Sequence, residues 1–256
     1  MMQEKVLIAL ALTAGAGLAT TIGSFLGLFV RQPGPRFMST TLGFSAGVMI
    51  LVSFVELLPA AINSLGFLLA QLGFFAGIAG ILLIDFIIPH EYIGQHEHGG
   101  LRTKEDHAML RMGLLVALGI GIHNFPEGMA TFAGALEDVK LGGAIAVAIA
   151  IHNIPEGLAV SAPVYAATGS RSKAFLWSFL SGVSEPVGAG LAALFLLPIL
   201  TPAVMGWLLA AVAGVMVFIS IDELVPASRS FGEEHLPILG VVSGMAVMAF
   251  SLWMLK

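Results

Sequence analysis

Two six-residue strings in this chain set imidazole, amide and carboxylate in the same order: His123-Asn124-Phe125-Pro126-Glu127-Gly128 and His152-Asn153-Ile154-Pro155-Glu156-Gly157, identical at five of six positions. Imidazole nitrogen and carboxylate oxygen are donors suited to divalent first-row metals such as zinc, iron, manganese and cobalt, and less suited to monovalent copper. On a helix, His and Glu four residues apart share a face, and Asn one step after His stands about 100° round from it. Each glutamate then lies in angle between its histidine and its asparagine. A carboxylate so placed can bind a metal beside the histidine and reach one on the asparagine side, so two adjacent metal positions bridged by Glu are geometrically possible.

Depth couples the two strings. If they lie on consecutive antiparallel spans, residues at equal depth are symmetric about the connecting loop. The midpoint of 123 and 156, and equally of 127 and 152, is 139.5, inside Glu137-Asp138-Val139-Lys140. His123 is thus expected at the level of Glu156, and Glu127 at that of His152. Glu156 and Glu185 share the midpoint 170.5, in the next connector, so Glu185 of Ser184-Glu185-Pro186 is expected to join them. Each motif proline removes a backbone donor and crowds the preceding turn. That frees the carbonyls of Ile122 and Ile151 and points to broken helices of the kind transporters place at the membrane midplane.

The elements that must position these groups are membrane helices. Of 256 residues, 57% are hydrophobic and 11% charged, a balance that leaves too little polar surface for a water-soluble domain of this size. Eight stretches reach the length of a bilayer core: about 5–30, 38–62, 65–88, 110–135, 141–166, 174–197, 202–224 and 236–255. The reading is a single all-α transmembrane domain over 1–256. The first stretch is too long, and too polar at Thr20, Thr21 and Ser24, for a cleaved leader. Eight spans put both termini on one side. Arg31, Arg36, Arg102, Lys104, Arg111, Arg171, Lys173 and Arg229 lie at one face against Lys5, Lys140 and Lys256 at the other, which places both termini outside. The polar loop 89–109 is then cytoplasmic, and its His90, His96, His98 and His107 could collect metal at low affinity.

The intramembrane charge is acidic. Glu56, Asp85, Glu127, Glu156, Glu185, Asp222 and Glu223 fall within or near the ends of spans, whereas no Lys or Arg falls mid-span. A carboxylate at the bilayer centre costs about 2.5 to 3.5 kcal/mol, so the partner expected is a cation or a proton, and anionic substrates are poor candidates. Without cysteine there are no disulfides, thiolate metal sites or cysteine nucleophiles, and without a basic tract there is no nucleic-acid partner. The partners expected are divalent metal ions and the lipid bilayer. Rival readings are an intramembrane metalloenzyme, a purely structural or receptor protein, and a proton or sodium carrier. The first is weakened by the absence of HExxH and of Glu-x-x-His pairs in the spans.

At these residues the chain resembles the ZIP (Zrt/Irt-like) family of metal transporters, in its bacterial branch, along essentially the whole length. The resemblance implies a secondary transporter, not an enzyme, in the bacterial inner membrane. Zinc, often with iron, manganese or cobalt, would be its substrate, taken into the cytoplasm. It implies a paired site in which His123, Glu127, His152 and Glu156 form one half and Asn124, Asn153, Glu156 and Glu185 the other, with Met49 as a further thioether position. It also implies a 3+2+3 arrangement, an inverted repeat of helices 1–3 and 6–8, and a homodimer. Glu56-Leu57-Leu58-Pro59-Ala60 and Glu223-Leu224-Val225-Pro226-Ala227, ending spans two and seven, are a trace of that repeat. Glu56 would serve the outer entrance, and Asp222 and Glu223, with Asp85 and His90, the cytoplasmic exit.

Overall fold

A computed structural model describes residues 2–29, 34–87, 104–137, 139–196, 201–232 and 234–255. Among them the regular structure is entirely helical. We number the helical rods in chain order: α1 Met2–Phe29; α2 Pro35–Val52, continued by a π-helical turn Ser53–Leu57 and by Leu58–Leu65; α3 Phe67–Ile87; α4 Lys104–Glu137; α5 Val139–Thr168. Then come α6 Arg171–Leu191 with a π turn Ala192–Leu196, α7 Pro202–Ile219 with a π turn Ser220–Leu224 and Val225–Ser230, and α8 Leu236–Leu255. Starts and stops are local. Pro35 and Pro202 open their rods at a position where the missing N–H is harmless, and the side chains of Ser170 and Thr201 accept the N–H groups of Lys173 and Val204. Gly66, at φ +81°, lets the chain leave α2 and begin α3 without a linker.

Among the described residues six of these rods are long and apolar enough to cross a membrane, and Phe67–Leu83 of α3 is a shorter apolar stretch. The 34-residue α4 occupies the remaining apolar segment of the sequence. Large apolar side chains point outward along the rods, among them Leu18 and Phe25 on α1, Phe75 and Phe86 on α3, and Trp253 and Met254 on α8, which is the surface a lipid solvent rewards.

The rods pack as two four-helix groups. The first holds α1, α4, α5 and α6; the second holds α2, α3, α7 and α8. Each group is built from two crossings at which glycine meets carbonyl on both sides. A methyl at Gly23 would overlap the Ile154 carbonyl and one at Gly157 that of Thr20, joining α1 to α5. Gly128 lies on the Glu185 carbonyl and Gly188 on that of Phe125, joining α4 to α6. Gly47 with Val241 and Gly244 with Phe44 join α2 to α8, and Gly77 with Ala211 and Gly214 with Phe74 join α3 to α7. Such contacts let backbones approach within Cα–H···O distance, the usual currency of helix association where lipid removes the hydrophobic drive. The seam between the groups is instead a cluster of apolar side chains: Met49, Val52, Met216 and Ile219 from the second, and Ile120 and Val160 from the first.

Two expectations are corrected. The motif prolines do not break their helices: α4 runs unbroken through Pro126 and α5 through Pro155 and Pro163. Each rod stays helical across its proline, as a proline in a packed membrane helix permits. The irregular turns lie elsewhere, just before Pro59 and Pro226, where a widened π turn relieves the clash of the proline ring with the carbonyls of Val55 and Asp222. The rods also run past the ends expected for spans two and seven, 62 and 224, to Leu65 and Ser230, which sets Glu56 and Glu223 further inside them. Similarly, α4 begins at Lys104 and takes the last residues of the expected loop 89–109.

Candidate metal centre

The acidic and amide side chains of the two strings converge in the interior of the first group. Asn124, Glu127, His152, Asn153, Glu156 and Glu185 are all at most 2% exposed. What brings them together is the final glycine of each string. Gly128 follows Glu127 and lies on the backbone carbonyl of Glu185; Gly157 follows Glu156 and lies on that of Thr20. Each carboxylate is therefore carried by a residue adjacent to a backbone contact between helices.

His152 Nε2 lies 3.3 Å from Glu127 Oε2, pairing α5 with α4 at the depth the loop symmetry predicts. Asn153 Nδ2 donates to Glu185 Oε2 at 2.8 Å and to the carbonyl of Ala16 at 3.0 Å, drawing α6 and α1 to the same level. Asn124 Nδ2 donates to the carbonyl of Ser181 at 3.3 Å. Both asparagines thus spend their donors on a neighbouring helix, which turns Oδ1 the other way. Asn124 Oδ1, Asn153 Oδ1 and Glu185 Oε1 are buried without a hydrogen-bond donor. A buried acceptor left unpaired costs about 1 to 3 kcal/mol, and a cation is one partner that would offset that cost. Glu127 and Glu156 add two more carboxylates to that interior.

His123 lies on α4 one turn before Glu127, and its side chain falls outside the described residues. So do the side chain of Asp85 and the residues His90, His96 and His98. Among the described residues no group of three or more His, Asp or Glu side chains is drawn close enough to hold a metal, so the described ligands stand as pairs rather than a closed cage. Met49 is buried in the apolar seam. Glu56 and Asp222 are exposed and Glu223 half-buried, all three inside π turns. Sequence reasoning missed the role of the two motif glycines and the carbonyl anchors at Ala16 and Ser181. Small residues spaced along apolar spans were the available signal for the first; nothing in side-chain type marks the second.

Residues 88–252 match the family described as ZIP zinc transporter. The chain belongs to that family. It is 52% identical to the zinc transporter ZupT of Nitratidesulfovibrio vulgaris, over 97% of each chain. It is 49% identical to that of Streptococcus mutans over 98% of each, and 51% identical to that of Lysinibacillus sphaericus over 99% of this chain and all of the other. This ZIP protein is a metal transporter and not an enzyme, and a multi-pass protein of the bacterial inner membrane. The buried acceptors of α4, α5 and α6 lie in the part of the chain the family match covers.

Proposed function

We propose that this ZIP protein takes up zinc, with iron, manganese and cobalt as further substrates, through a site made by His123, Asn124 and Glu127 of α4, His152, Asn153 and Glu156 of α5, and Glu185 of α6. The observation that carries this reading is the donor-poor interior: the 3.3 Å His152–Glu127 pair and the Asn153–Glu185 bond stand beside three buried oxygen acceptors without a donor. Metal sheds water for these ligands at the midplane and leaves toward the cytoplasmic loop once the first helix group shifts against the second. Affinity stays moderate, because an ion held too tightly cannot leave.

Eight spans with both termini outside complete the reading. The glycine crossings fall in the order an inverted repeat demands. Exchanging helices 1–3 with 6–8, and 4 with 5, turns the α1/α5 crossing into α6/α4 and the α2/α8 crossing into α7/α3. The anchors of Asn124 and Asn153, on α6 and α1, exchange likewise. In α2 and α7 the correspondence reaches back from Glu56 and Glu223 to Ser53 and Ser220, whose hydroxyls donate to the carbonyls of Met49 and Met216, both at 2.7 Å. Glu56 then guards the outer face and Asp222 and Glu223 the inner one.

The test is zinc uptake into proteoliposomes loaded with a zinc-sensitive dye. Wild type is expected to show saturable uptake, and Glu127→Ala and His152→Ala to reduce it to the level of empty liposomes while folding normally. Uptake retained by both variants would remove the site from the pathway.

A further inference from the structure

Among the described residues the crossings at which glycine meets carbonyl on both sides all lie within one helix group or the other. Where α2 meets α5 a hydrogen bond crosses the seam between the groups. Ser45 Oγ donates to the carbonyl of Pro155 at 2.8 Å. Ser45 is fully buried, in the second group; Pro155 stands between Asn153 and Glu156, in the first. Beside the bond an open, apolar groove of about 430 Å³ runs between the two helices, lined by Thr40, Thr41 and Phe44 of α2 and Ile151, Ile154 and Leu158 of α5. The bond therefore joins the two groups at the edge of this groove, and it holds the peptide that carries Glu156.

We propose that Ser45 is a positioning residue for metal uptake. Its hydroxyl latches the metal-bearing group onto the second group in the conformation described here, and it must release Pro155 before the groups can shift. The inference rests on the reading of α4, α5 and α6 as the metal site, though Ser45 is not a ligand in it. In this apolar surrounding the hydroxyl and the carbonyl lose their partner on release, so the intact latch raises the free energy of leaving this conformation by about the worth of one buried hydrogen bond, a factor of about three to ten in population.

The chain has no cysteine, so two introduced thiols are unique labels. Nitroxides at Arg171→Cys on α6 and Ser230→Cys on α7, both exposed positions, report the spacing between the groups by electron–electron double resonance. Ser45→Ala is expected to raise the population of the second spacing about three- to tenfold, and Ser45→Thr, which keeps the hydroxyl, to restore the wild-type distribution. In proteoliposomes Ser45→Ala should alter the maximal rate of zinc uptake at least threefold and leave KM within twofold. A Ser45→Ala distribution that superimposes on wild type, in protein that still binds zinc, overturns the latch; so does identical behaviour of the Ala and Thr variants. Failure of the metal-site reading looks different: Glu127→Ala would then keep its uptake while Ser45→Ala still shifted the spacing.

Discussion

Glu127 and Glu156 are each followed by a glycine that rests on the backbone of another helix, and that adjacency ties ligand geometry to helix packing at single-residue precision. Asn153 is the other residue with two duties, since its amide nitrogen serves both Glu185 and the Ala16 carbonyl. Asn153→Ala strips both, and the expected outcome is a rise in KM for zinc of fivefold or more, measured by dye-reported uptake. Protons compete with metal for every imidazole and carboxylate in the set. Lowering the pH from about 7.5 to about 5.5, across the ordinary histidine range, is therefore expected to raise the apparent KM at fixed free zinc and to change the saturated rate less. The strings themselves were legible in the sequence, because carboxylates inside apolar spans have no other business there and two copies at matched depth rarely arise by chance. Ala16 and Ser181 were not, because they act through main-chain oxygens that every residue possesses.

The helices depend on close approach, and glycine decides where it happens. Gly157→Val drives a side chain into the Thr20 carbonyl, while Gly143 on the same helix has no neighbour within 4 Å of an added methyl. Thermal unfolding in detergent should show Gly157→Val destabilised by about 1 to 3 kcal/mol or more, and Gly143→Ala unchanged or stabilised by about 0.5 to 1 kcal/mol. Hydropathy made the spans legible but not their interior turns. The prolines of the two strings look like breaks and are not, whereas Pro59 and Pro226 sit behind π turns. Proline removes one donor in every case, so residue type alone does not tell a regular helix from a π turn. What surrounds Pro155, the Ser45 hydroxyl on its carbonyl and a glycine crossing two residues on, comes from segments far apart in sequence.

At the scale of the molecule, the sequence reading expected three outer spans on each side of a central pair; it did not say which rods pack together, and they sort into two groups of four that interleave along the chain. The order of spans was readable from apolar length and the partners were not, since partner choice rests on which glycine finds which carbonyl. The orientation proposed from the charge distribution around the loops can be checked directly in a cysteine-free chain. A membrane-impermeant maleimide is expected to label Asn63→Cys, at the end of α2, in intact cells. It should reach Ser172→Cys, at the start of α6, after permeabilisation only; the reverse pattern would invert the topology. The interleaving also bears on how the chain is made. Synthesis runs from the N-terminus, and membrane helices insert before they associate. The first group is complete once α6 has emerged, so the ligands of α4, α5 and α6 can meet while the ribosome is still at work. Through that interval α2 and α3 wait in the lipid without their glycine partners, which come last, on α7 and α8. The second group therefore closes against a first group that is already assembled, the proposed metal site included, and α2 and α3 are the helices most in need of protection until it does.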